Sequence, residues 1–186
     1  MRNAKTLDYG FSNEEFEIRF ERAQELLYKN KLDALLITIP SNLRYFTGID
    51  TNFWESPTRP WFLVVPLFGN PIAIIPEIGE KLFKKTFIKD IHTWSSPNLK
   101  GDDISPLKSL LETLPSRFGA IGAELGKEMS IRMPTIDFKL LQDNFKFDIV
   151  DGASLIWALR SVKTLNEIKK IEKVAQIFSE VFEILP

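Results

Sequence analysis

The sequence predicts an α/β fold, a mixed six-stranded sheet with helices on both faces. Three observations predict it. Short apolar runs rich in branched residues alternate with amphipathic stretches, two of those runs are separated by little more than a turn, and after residue 150 the pattern turns to helices alone, a short one and a long one. At 186 residues, with 44% hydrophobic and 26% charged, the chain has the bulk and composition of one ordinary globular core.

"SNEEFEIRFERAQELLYKN" opens with Ser12 and Glu15 at capping-box spacing and then sets Phe16, Phe20, Ala23 and Leu27 at helical intervals, so a helix is expected from about 13 to 29. "DALLITI" is short, apolar and closed by Pro40, as expected of a strand buried on both faces. "WFLVVPL" and "PIAIIP" flank "FGN" and should form an antiparallel hairpin. A short helix near "IGEKLFKK", a strand at "FIKDIHTW" and a polar loop at "SSPNLKGDD" follow. Ser105 and Pro106 mark the next helix start, "GAIGAEL" and "KFDIVD" complete the strands, and the segment between them is helical after Pro134. Beyond Asp151 the sequence reads as a short helix ending near Arg160, a link at "SVK", and a long helix opened by a second capping box, Thr164 with Glu167. Ile168, Ile171, Ala175, Phe178 and Phe182 make an apolar stripe along it that needs a partner: its own sheet, a second copy, or a further domain.

Charge and composition exclude several functions. Lysine and arginine number 24 against 25 acidic residues, and a net charge of -1 gathers neither phosphate backbones nor anionic lipid, so no nucleic acid and no membrane partner is expected. The absence of cysteine removes disulfides, thiolate zinc sites and a cysteine nucleophile, and fits a cytoplasmic protein. "MRNAKTLDYGFSNEEFEIRF" lacks the apolar core of a signal peptide. His92 stands alone, which reads as a structural histidine, and no P-loop, dinucleotide fingerprint or H-E-x-x-H motif occurs. Asp33, Asp50 and Asp151 fall at ends of expected strands. Turn capping is the simple account of them, and a shared metal is the alternative.

Two clusters remain. In "SNLRYFTGI", Ser41 is placed to cap a helical turn, Asn42 to bond nearby backbone, and Gly48 to end the turn in the left-handed conformation, with Tyr45 and Phe46 packed beneath and Arg44 unassigned. In "DTNFWESPTRPW", Phe53, Trp54, Arg59 and Trp61 share a proline-stiffened loop. Such a loop either covers the end of the core or meets a partner or substrate, since arginine binds a carboxylate through two hydrogen bonds.

Three stretches together resemble the amino-terminal domain of the creatinase, prolidase and aminopeptidase P family of metallohydrolases. "LDALLITIPSNLRYFTGI" is similar to that family's first strand and its Asn-x-x-Tyr-x-x-Gly turn, carried here by Asn42, Tyr45 and Gly48. "WFLVVPLFGNPIAIIP" resembles its hairpin. "LIWALRSVKTLNEIKKIEKVAQI" resembles the junction in which Arg160, Val162 and Lys163 precede Glu167 and Ile168 on the first helix of the catalytic domain. The resemblance implies a ribonuclease H-like motif in an α/β domain over 1–151, a linker with a short helix over 152–163, and at 164–186 the first helix of a "pita-bread" catalytic domain that this chain lacks.

The resemblance implies, further, two divalent metal ions (manganese, cobalt or zinc) in that larger domain and no cofactor in these residues. It also implies a homodimer in which the loop after the first strand reaches the partner's active site. Phe53 or Trp54 and Arg59 occupy the stretch from which creatinases contact substrate. The expected function is that of a non-catalytic domain of a metal-dependent Xaa-Pro peptidase-like hydrolase acting on a peptide. The alternatives are a creatinase-like amidinohydrolase acting on a small amide, a stand-alone dimerisation or interaction module, and a small enzyme using Asp33, Asp50 and Asp151.

Overall fold

The computed structural model describes residues 10–56, 58–96, 104–143 and 145–185. Helix α1 (Asn13–Lys29) begins at Ser12, whose side chain accepts the Glu15 amide. Only that half of the expected capping box forms, because the Glu15 carboxylate is engaged elsewhere. Strand β1 (Ala34–Ile37) leads into α2 (Pro40–Thr47). The hairpin is present as β2 (Phe62–Pro66) and β3 (Ile72–Pro76), followed by the one-turn α3 (Glu80–Phe83) and β4 (Asp90–Trp94). Then come α4 (Ser105–Thr113), β5 (Ala120–Ala123), α5 (Thr135–Gln142), β6 (Asp148–Asp151), α6 (Ala153–Ser161) and α7 (Leu165–Glu183). Most of the expected "SSPNLKGDD" loop lies outside the described residues.

The six strands form one mixed sheet in the order β4-β3-β2-β1-β5-β6. β1 is central, antiparallel to β2 and parallel to β5, with Leu36 opposite Val64 on one side and Ala123 on the other. Because side chains alternate across a strand, the continuous apolar runs serve both faces. Leu35, Ile37, Leu63 and Val65 join Phe20, Ala23 and Leu27 of α1 and Leu155, Ile156 and Leu159 of α6. Ala34, Leu36, Phe62 and Val64 join Leu107 and Leu111 of α4 and Leu141 of α5. Helix α6 is thus part of the domain's core.

Two details of the α2 turn differ from the sequence reading. Pro40 does not close β1, which ends at Ile37. It opens the helix, where its missing N–H costs nothing. Ser41 is not a cap: the N-cap position falls on Ile39, with no side-chain cap bond. Gly48 behaves as expected, at φ 73° with its amide on the Arg44 carbonyl.

Candidate functional site

β1 and β5 run parallel, so their exits lie side by side, and the polar residues just beyond them meet beneath α2. Glu124, which follows β5, is fully buried. Its Oε2 accepts from the Thr38 amide at 2.6 Å, the Thr38 hydroxyl at 2.7 Å and the Ile39 amide at 2.7 Å. Its Oε1 accepts from Asn42 Nδ2 at 2.6 Å, and Asn42 Oδ1 in turn accepts from Arg160 Nη1 at 2.6 Å. Asn42 therefore bonds distant side chains rather than nearby backbone, and its amide orientation is fixed by a carboxylate on one side and a guanidinium on the other. Burial pushes the Glu124 carboxyl above the ordinary range, and the bonds from Asn42, Thr38 and the two amides offset part of that rise. These donors are committed to holding one carboxylate, so the network braces the strand exits against α2 and α6.

A second polar cluster joins the two ends of the chain. Arg19 is 2% exposed and lies between the rings of Phe11 and Tyr45, 4.3 and 4.5 Å from their centroids. It donates to the Tyr45 carbonyl at 2.6 Å and pairs with Glu15 at 3.4 Å and Glu167 at 3.1 Å. Glu15 accepts from Thr164 Oγ1 at 2.7 Å and from Asn166 Nδ2 at 2.9 Å. Burial raises the Glu15 carboxyl, but those two bonds and the Arg19 charge outweigh it and hold the group below its ordinary range. The Tyr45 hydroxyl reaches the Leu159 carbonyl at 3.2 Å, and burial pushes its pKa up against the opposing Arg19 charge. Beside this cluster a cleft of about 660 Å³ opens between α2, α6 and α7, lined by Arg44, Trp157, Arg160, Lys163, Glu167 and Lys170 among others. Lys163 donates to the carbonyls of Arg160 and Ser161, tightening the link into α7.

The aromatic loop divides. Trp54 is buried at 4% and meets Trp61 edge to face at 6.1 Å, so both tryptophans close the end of the core. Phe53 is 56% exposed and Arg59 is exposed, leaving these two on the outer surface. Arg132 pairs with Glu55 at 3.8 Å and ties the loop to the segment after β5.

The three aspartates are not brought together as ligands. Asp33 accepts the amides of Arg117, Phe118 and Gly119 and so caps the turn into β5. Asp50 pairs with Arg44 at 3.0 Å, and Asp151 accepts the Ala153 amide at the start of α6. Among the described residues no group of three or more His, Cys, Asp or Glu side chains could hold a metal ion. The donors among the described residues therefore do not fit two divalent ions. His92 lies on β4, 2.9 Å from Asp90.

Sequence reasoning missed Glu124 and the role of Arg19. Glu124 follows a buried strand in "GAEL", but its donors lie more than 80 residues earlier and leave no local signature. Arg19 occupies the inner face of α1 in line with Phe16 and Phe20, and an arginine at a core position is the signal that was available.

A family model described as the creatinase/prolidase N-terminal domain matches residues 19–162. No curated protein matches the chain. Among solved structures, a recombinant prolidase from Thermococcus sibiricus is similar at 24% identity and a TM-score of 0.73, over 90% of this chain and 43% of that one. An Xaa-Pro dipeptidase from Bacillus anthracis is similar at 17% identity and a TM-score of 0.68, over 90% of this chain and 42% of its own. The creatinase/prolidase N-terminal domain of an X-Pro dipeptidase from Streptococcus pyogenes matches at 15% identity and a TM-score of 0.58, over 76% of this chain and 98% of that one. At these identities the likeness shows the fold, and the chain spans less than half the length of the two longer enzymes.

Proposed function

The chain belongs to the creatinase/prolidase N-terminal domain family, and from that premise we propose that it serves as the non-catalytic N-terminal domain of a two-domain, metal-dependent Xaa-Pro peptidase-like hydrolase, contributing to dimer assembly and to gating of the partner's active site. In this reading the domain spans 1–151, the connecting residues 152–163 carry α6, which packs into that domain's core, and 164–186 begin the catalytic domain of a cytoplasmic enzyme. Two divalent ions (manganese, cobalt or zinc) bound in that catalytic domain would activate the water that attacks the bond before proline.

Helix α7 is the observation that carries this reading. None of its 19 residues is buried, with Ile171 at 54%, Phe178 at 61% and Phe182 at 69% exposed. At 100° per residue its apolar side chains span an arc of roughly 180° from Ile177 to Ile168, and roughly 240° with Leu165, wider than the minimum stripe of about 100° on a surface helix. A helix apolar over so wide an arc suits the interior of a larger layered domain better than a two-helix contact. The arc weighs against the stand-alone module, and no observation favours a creatinase-like substrate.

The test is hydrolysis of Xaa-Pro dipeptides and tripeptides with added Mn²⁺, run in parallel on this chain and on the product of the gene read past codon 186. Activity in the longer product alone supports the reading. Activity in this chain overturns it, and silence from both transfers the proposal to creatine-like and other small amides.

A further inference from the structure

We propose that Glu15 and Arg19 of α1 are positioning residues: with Thr164, Asn166 and Glu167 they form a polar joint that fixes the angle at which α7 leaves the domain. The inference deepens the reading above, because the direction of α7 aims whatever follows it, but its test does not depend on that reading.

Among the described residues, the polar contacts between α7 and the rest of the chain sit towards its beginning. Thr164 and Glu167 are half-buried, every described position beyond Glu167 is exposed, and the bonds to α1 come from Thr164, Asn166 and Glu167. A little further along, Lys170 Nζ lies 4.9 Å from the centroid of the Phe11 ring. None of its residues is buried, and among the described residues the helix takes its direction from bonds of defined geometry, which charge-assisted hydrogen bonds supply.

The wiring is reciprocal. Glu15 stands where the sequence offers it as the cap partner of α1, yet each of its oxygens serves the start of α7 instead, one taking Thr164 Oγ1 at 2.7 Å and the other Asn166 Nδ2 at 2.9 Å. Glu167 closes its own capping box on the Thr164 amide at 2.8 Å with one oxygen and reaches Arg19 at 3.1 Å with the other. Arg19 cannot follow a moving α7, because its guanidinium lies between two rings and donates to the Tyr45 carbonyl. The frame of the domain and the first turn of α7 thus share one set of hydrogen bonds.

The chain has no cysteine, so spin labels at Glu25→Cys on α1 and Gln176→Cys on α7 report a single distance by pulsed electron resonance. Labelled protein is diluted in an excess of unlabelled chain to remove distances between copies. The expected result is one narrow distribution, widened at least twofold in Glu15→Ala while the domain keeps its cooperative unfolding. If Glu15→Ala disturbs folding, the pair Asn166→Ala and Glu167→Gln cuts the joint from the α7 side and must give the same widening. A distribution already broad in the unsubstituted joint, or one that neither variant widens, overturns the proposal. Failure of the peptidase assay leaves the joint standing, and an unchanged distance distribution leaves the peptidase reading standing.

Discussion

Arg160 on α6 and Asn42 on α2 are joined by a 2.6 Å hydrogen bond across 118 positions of sequence, and the same Asn42 amide carries the interaction on to the buried Glu124 carboxylate. The asparagine separates an anion from a cation while satisfying both. Asn42→Asp keeps the bond to Arg160 but turns a second carboxylate toward Glu124, and it should cost about 2–4 kcal/mol. Urea unfolding measures this, and a loss under about 0.5 kcal/mol would show the network to be incidental.

Gly79 is required by space rather than by backbone conformation. It sits at φ -85°, which any residue adopts, but an added Cβ would fall 2.3 Å from the Trp61 ring, buried at 1%. Gly79→Ala should destabilise by about 1–3 kcal/mol through overpacking. Thermal unfolding checks it, and a Tm equal to that of the parent would mean the indole has room to move.

The Glu15 carboxyl is held below its ordinary range, so the stability it contributes is present above the unfolded-state pKa and is lost as the pH falls through the folded one. The α1–α7 contact should therefore persist down to about pH 4, near the unperturbed glutamate value, and release only below it. Glu124, raised by burial, runs the other way: its contribution is complete below the unfolded pKa and declines as the pH rises through the folded one. Carboxyl NMR of the chain, titrated from pH 7 to 3, separates the two. A Glu15 midpoint above that of a free glutamate would contradict the bonding described here.

The neighbours Phe53 and Trp54 should behave in opposite ways. Trp54→Ala empties a core position and should cost about 3–5 kcal/mol. Phe53→Ala should leave stability within about 0.5 kcal/mol, as expected at an exposed site. In the longer protein, Arg59→Ala should lower kcat/KM about tenfold without unfolding it, the effect expected if this arginine binds a substrate carboxylate across a dimer. Unchanged kinetics would remove Arg59 from the substrate site.

Much of the fold is legible because its signals are local. The β2–β3 turn, the Ser12 and Thr164 caps and the left-handed Gly48 are each decided within a few residues. The polar sites are not local. Glu124 takes its donors from 82 to 86 positions away, and its place in the apolar run "GAIGAEL" does not name them. Glu15 shows the limit more sharply: the capping-box spacing is real, but Thr164 and Asn166, about 150 positions later, win its carboxylate from its own helix. Whether Phe53 or Trp54 turns inward depends on Trp61 lying ready to receive a ring, a tertiary fact that spacing alone does not carry.

The sealing of Asp33 by the amides of Arg117, Phe118 and Gly119 sets an order of events at the ribosome. Until those residues emerge, the strand at the centre of the finished sheet has no β5 beside it and stands as an apolar open edge. A nascent chain stalled before residue 120 would display that edge to its neighbours, an interval in which aggregation or capture by a chaperone competes with folding.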